Sequence, residues 1–283
     1  MNLEIILQII RHRWKQSLLI VCIATLGTGL ILFLMTPMFR GTAVFTAANP
    51  NLGDRANIYR TQFWDQYFYF GSEFDNDRLA AIARSEELLL YIADTFKLKE
   101  HYKIKPKGEK GRYLTDKELK KNITIHKNEF GHIKVNVWDK DRFLAPKIAN
   151  EIVRKVNETA IGSINQMKKE ILQKLKYDYQ VQKDSLLAVE VYLKAAPDDA
   201  FLSARKSAIL EELVEKDKLI QQFNTSINNV TSLFIIEKAI TPFKKEKPKI
   251  LSGMITASIV SFVFSIVLIF LLEVKTRRKS WGI

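Results

Sequence analysis

The sequence predicts an α+β membrane protein: two transmembrane helices flank one large hydrophilic domain, which contains a small mixed sheet and a long protruding helical hairpin. Three observations carry this reading. Ser17 to Phe39 and Ile250 to Leu272 contain no charged residue. Each reaches roughly 34 Å as a helix, enough for a hydrocarbon core of about 30 Å. Apolar residues then recur every three or four positions from Ile148 to Leu193, far longer than an ordinary helix.

The first apolar run is longer than a signal-peptide core, and no small-x-small cleavage site closes it. Both runs are therefore expected to stay in the membrane, as spans 17–39 and 250–272. Arg11, Arg13 and Lys15 precede the first span, and only Arg40 closely follows it. The positive-inside rule puts tail 1–16 in the cytoplasm. Two spans return tail 273–283 to the same side, where Lys275, Arg277, Arg278 and Lys279 obey the rule. Lys244, Lys245, Lys247 and Lys249 conflict with it, but they end a long loop, and long loops translocate largely regardless of charge. The single cysteine, Cys22, lies inside the first span, so the central domain must stand on packing without a disulfide.

Residues 40–141 read as a membrane-proximal α/β part. Arg40 to Ala47 alternates as a strand, with Thr42, Val44 and Thr46 on one face. Asn49-Pro50-Asn51 and Gly53-Asp54 mark turns. Tyr59 to Phe74 is dense in aromatics, including Trp64, Tyr67 and Tyr69, which suit core packing, a subunit contact or stacking on sugar rings. Ser85 caps a helix running to about Phe96, with Glu86 and Glu87 in its first turn. Thr115 and Glu118 have capping-box spacing and predict a helix start there. Ile123–Ile125 and Ile133–Val137 alternate around Gly131, as a β-hairpin does.

Residues 142–232 read as the helical hairpin. Asp141 suits an N-cap, Gly162 is the weak point of the first helix, and Ala196-Pro197-Asp198-Asp199 breaks it. A second amphipathic stretch, with Leu210, Leu213, Ile220, Phe223, Ile227 and Val230, should fold back antiparallel. Residues 233–249 hold a closing strand, Leu233 to Ile240, and an elbow with Pro242 and Pro248, the candidate hinge before the second span. The first and last strands are expected to meet in one sheet.

The net charge is +13, and the basic excess is densest from Lys97 to Lys121. Lys103, Lys105, Lys107, Lys110 and Arg112 are candidate contacts for an acidic polymer or lipid headgroups, against the plainer reading of a solvated surface. Nothing resembles a nucleotide-binding loop or a G-x-S-x-G elbow. His126 and His132 flank the hairpin turn with no cysteine nearby, weak grounds for a metal. Glu211-Glu212 and Glu215-Lys216 read as a solvated helix face. The chain is expected to have no catalytic residues, no cofactor, no metal and no nucleic-acid partner. A two-span sensor with an external helical domain is a further alternative, weakened by the expectation that about ten residues after Leu272 leave no room for an output domain.

The layout resembles the Wzz-type polysaccharide chain-length determinants, the polysaccharide co-polymerases of bacterial inner membranes. The similarity rests on Ser85 to Tyr102, on Leu114 to Val137, and on Asp141, Ala145, Ile148, Ala149 and Asn150 in a D-P-x-x-A-x-x-I-A-N register. It extends to Ala239, Pro242 and Pro248 in an A-x-x-P-x-x-P-x-x-P approach to the second span. Arg142 and Lys245 stand where that family usually has proline. The resemblance implies a periplasmic main domain, both termini cytoplasmic, and a homo-oligomeric ring that sets the length of a polymer made by a separate polymerase. The partners expected from the basic and aromatic segments are the polysaccharide itself and membrane lipids. An alternative within the same resemblance is an export adaptor working with a separate tyrosine kinase or an outer-membrane channel.

Overall fold

A computed structural model describes residues 3–49, 70–227 and 231–280; for 3–13, 270 and 272–280 it describes the backbone alone. The chain forms two compact units, one of residues 1–40, 138–145 and 241–283, the other of 41–137 and 146–240.

The first unit is built on α1 (Leu3–Leu34) and α8 (Ile250–Ser280). Both contain stretches long and apolar enough to cross a membrane, Trp14–Leu34 and Ile250–Ile269. Helix α1 stops at Leu34, short of the expected Phe39, because Pro37 biases Thr36 to extended geometry and a strand starts at Phe39. The two helices pack antiparallel. Ser17 and Ser265 share a hydrogen bond at 2.6 Å, and Thr25 and Ser258 one at 2.9 Å. Small residues let the backbones approach: a Cβ on Gly29 would meet Met254 Sδ at 3.2 Å, and one on Gly253 would press on Leu32. Leu30, Phe33, Leu251 and Phe264 remain exposed on the outer faces, where a soluble protein would bury them.

The second unit contains a four-stranded sheet in the order β2-β3-β1-β4, formed by β1 (Phe39–Ala47), β2 (Ile123–Lys127), β3 (Ile133–Asp139) and β4 (Leu233–Glu237). The first and last strands meet as expected: β1 and β4 run antiparallel, with Ala47 opposite Leu233 and Phe45 opposite Ile235. β2 and β3 form the expected hairpin, and Gly131 takes the positive φ of 77° that its turn requires.

Helices α2 (Glu73–Arg84), α3 (Glu86–Thr95), α4 (Leu98–His101) and α5 (Gly108–Lys121) complete the α/β part. Ser85 caps α3 as expected, accepting from Leu88 N–H. The expected helix start at Thr115 is wrong. α5 begins at Gly108, and Thr115 lies inside it, donating its hydroxyl to the Gly111 carbonyl one turn back. Helix α2 was not anticipated. It starts on a capping box in which Ser72 Oγ accepts from Asp75 N–H and Asp75 accepts from Ser72 N–H. The core holds Phe45, Leu79, Ile92, Leu98, Val135 and Ile152, all under 2% exposed, each stabilising by about 1.5–3 kcal/mol.

Helix α6 (Leu144–Ala195) runs unbroken for 52 residues through Gly162, about 78 Å. Asp141 prepares its start by accepting from Phe143 N–H at 2.8 Å. Helix α7 (Ala200–Ser226) follows the Ala196–Asp199 break, and Asp199 Oδ1 accepts from Phe201 and Leu202 N–H. The two helices run antiparallel, tied by Glu190–Lys206 at 2.9 Å and by Lys216 donating to Gln182. The seam follows the expected period with corrections: Ile148, Ile152, Val156 and Val189 are buried, but Leu172 takes the place of Ile171 and Met167, and Leu210 is exposed. The closing strand ends at Glu237 rather than Ile240.

Candidate functional site

The basic segment becomes a corner made by α3, α4 and α5. Leu98 and Leu119, both fully buried, anchor α4 and α5 from below. Lys97 and Lys103 end α3 and α4 in the left-handed region, at φ 49° and 57°, where glycine is the usual occupant. Lys105 and Lys107 lie on the short link between α4 and α5, and Lys110 and Arg112 on the first turns of α5. Lys103, Lys105, Lys107, Lys110 and Arg112 are all exposed. Among the described residues, none of these five is held by a carboxylate, whereas Lys120 and Lys121 are tied to Asp116 and Glu118. The Asp116 hydrogen bond raises the Lys120 pKa. The fold thus brings the basic candidates to one local surface, with Tyr113 exposed beside Arg112.

The aromatic candidates Trp64, Tyr67 and Tyr69 lie outside the described residues. The last aromatics of that run are described. Phe70 packs edge-on against Phe234 of β4 at 5.8 Å, and Phe74 on α2 is 78% exposed.

The Pro242–Pro248 segment is held at several points within the first unit. Met38 N–H donates to Lys247 O at 3.0 Å, and Glu246 N–H donates to Met38 O at 2.8 Å. Arg40 meets Glu246 at 3.4 Å, and Lys247 Nζ lies over the Trp138 ring at 4.3 Å. The Lys247–Pro248 bond is cis, and α8 begins at Ile250. Proline has no N–H and disfavours helix in the residue before it, so the helix does not extend back through this segment.

Two further arrangements within the second unit were not singled out from sequence. Asn150 on α6 clamps the backbone after β4, donating Nδ2–H to Ala239 O and accepting Ala239 N–H on Oδ1, both at 2.9 Å. Its place in the I-A-N register was the available signal. Glu151 accepts from Tyr91 of α3 at 2.8 Å and from Arg154 at 2.6 Å, and Arg154 also donates to Tyr91 Oη. The Arg154 hydrogen bond is the largest cause holding the Glu151 carboxyl below its usual range. These groups fasten helices and offer no reacting pair. Among the described residues, no three His, Cys, Asp or Glu side chains gather as a metal site would need.

No family model and no curated protein matches the sequence. Solved structures do. A full-length bacterial polysaccharide co-polymerase matches 96% of this chain and 97% of its own, at 12% identity and a TM-score of 0.43. A fragment of WzzB, a polysaccharide co-polymerase from Salmonella Typhimurium, matches 75% of this chain and 100% of its own, at 14% identity and a TM-score of 0.37. A mutant of the Shigella flexneri lipopolysaccharide O-antigen chain-length regulator WzzBSF matches 74% of this chain and 100% of its own, at 12% identity and a TM-score of 0.26. This chain is therefore similar to polysaccharide co-polymerase structures along most of its length.

Proposed function

We propose that this chain is a non-enzymatic, homo-oligomeric scaffold of the bacterial inner membrane that regulates the length of a surface polysaccharide made by a separate polymerase. The observation that supports it best is the two-faced α6, carried between two spans. One apolar stripe of α6 is covered: Leu172 and Val189 are buried, and Leu186 between them is half-buried. A second stripe on the opposite side, Tyr177, Val181, Val191 and Tyr192, is 48–70% exposed. A hairpin of two helices can cover only one such face, so side-by-side copies are the economical cover.

A scaffold of this kind acts by retention. Weak contacts to a polymerase or its growing chain, repeated around a closed ring, lengthen the time before release through avidity. The basic corner at Lys103 to Arg112 is the contact we assign to the polymer or its polymerase, and Pro242 with Pro248 is the hinge that sets the outer domain on its span. Deleting the gene should leave the polymer's repeat unit unchanged and spread its length distribution. The Pro242→Ala, Pro248→Ala double variant should shift that distribution while expression persists. A deletion strain with normal polymer lengths rejects the reading. Loss of surface polymer with polymerised lipid-linked intermediates accumulating would point instead to an export adaptor.

A further inference from the structure

At the end where α1 stops and α8 starts, the first unit carries a basic and aromatic collar. Lys244, Lys245 and Lys249 precede α8 and are exposed, as are Lys140 and Arg142 on the neighbouring 138–145 segment. The nearby carboxylates are already engaged. Glu246 meets Arg40, Asp139 accepts from Asp141 N–H, and Asp141 accepts from Phe143 N–H. Among the described residues, none of those five cations has a carboxylate partner. Beside them Phe243 is 90% exposed, and Phe143, 51% exposed, has the Arg142 guanidinium over its ring at 4.6 Å.

The spans say what lies against this collar. Lys249 is the residue immediately before the apolar stretch Ile250–Ile269. The other stretch ends at Leu34, and Met38, hydrogen-bonded to the Glu246–Lys247 backbone, is at most about 14 Å of extended chain beyond it. The polar layer on each side of a hydrocarbon core is about 5–8 Å deep. We propose that the collar binds the phosphate headgroups of anionic phospholipids in the leaflet it borders, with Phe243 and Phe143 seated at the acyl boundary. A solvated acidic polymer would satisfy the lysines but leave the Phe243 ring in water. A second copy placed on this face by a two-fold axis would set like charges against one another. A lipid interface accepts cations and apolar rings together, as it does for snorkelling lysines and amphipathic anchors. This also accounts for three of the four lysines that contradict the positive-inside rule, Lys244, Lys245 and Lys249: they face headgroups on the other leaflet, while Lys247 lies over the Trp138 ring.

The full chain, reconstituted in bilayers of phosphatidylcholine with one part phosphatidylglycerol, tests this by two readouts. Spin-labelled lipids report how strongly the protein-bound shell prefers phosphatidylglycerol. Each surface cation contributes on the order of fivefold to anionic-lipid attraction, so Lys244→Gln with Lys245→Gln and Lys249→Gln should lower the preference by at least about threefold. The charge-preserving Lys→Arg triple should keep it. Separately, Phe243→Trp in a chain whose other tryptophans are phenylalanine should give blue-shifted emission quenched by lipids brominated high on the acyl chain. An unchanged preference in the Gln triple, or water-like unquenched emission, overturns the proposal. Unchanged lipid preference with weakened binding to polygalacturonate would assign the lysines to an acidic polymer instead.

Discussion

Glu151 is the residue whose surroundings make the sharpest prediction. Its carboxylate takes hydrogen bonds from Arg154 and Tyr91, and Lys155 Nζ lies over the Tyr91 ring at 4.7 Å. The charged form is favoured, so its folded pKa lies below the ordinary 4.5. A depressed carboxylate pKa gives stability that is present above the unfolded value and lost as pH falls through the folded one. Arg154 is half exposed, so solvent screens the pair and the contribution is about 1 kcal/mol. Glu151→Gln should therefore lower the melting temperature at pH 7, and the deficit should shrink as pH drops below about 4.5. Melts of the detergent-solubilised chain at pH 7 and pH 3.5 measure this; an equal deficit at both values would remove the ionic part of the argument. The αL lysines are the other residue-scale oddity. Nothing in the local backbone favours lysine over glycine at φ 57°, so Lys103→Gly should stabilise by about 1 kcal/mol while weakening the basic corner.

Among the elements, α6 and the span pair are each explained by what they lack. Gly162 does not break α6, since the helix continues through it and a Cβ there would meet nothing within 4 Å. Gly162→Ala should stabilise by about 0.5–1 kcal/mol, read as slower amide exchange around that turn; faster exchange would mean that the glycine is needed for a bend. The span pair has no hydrophobic drive in lipid, so close packing and hydroxyl hydrogen bonds hold it. Thr25→Cys with Ser258→Cys, in a Cys22→Ser chain, should cross-link within one chain. Gly253→Leu should cut that yield several-fold by pressing on Leu32, and linked peptides in mass spectrometry give the answer.

For the whole molecule, the prediction concerns sides. With two spans and three basic residues before the first, a cysteine at Asp198 should react with an impermeant thiol reagent in intact spheroplasts, and one at Ser280 only after lysis. Protection of position 198 would invert the arrangement and with it the proposed function. The third site that would complete such a series, Asn51, lies outside the described residues. The apolar stripe left open on α6 makes the matching prediction for assembly: native mass spectrometry in mild detergent should show a closed oligomer, and Val181→Lys with Val191→Lys should reduce it to smaller species.

Sequence pattern settles what depends on neighbours along the chain. Span position follows from runs without charge, the β-hairpin from alternation around Gly131, the start of α3 from Ser85, and the helix break from Ala196 to Asp199. It misplaced the start of α5, because Thr115 and Glu118 mimic a cap that the preceding turn, Gly108 to Gly111, makes unnecessary. It passed over α2, although Ser72 and Asp75 spell a capping box, because the aromatic run before it dominated the pattern. The rest comes from the folded chain: that β1 meets β4 with Ala47 opposite Leu233, that Ser17 bonds Ser265, that Asn150 clamps Ala239, and which apolar stripe of α6 is covered. Each of these joins residues far apart in the chain, and periodicity marks a face as apolar without saying what covers it.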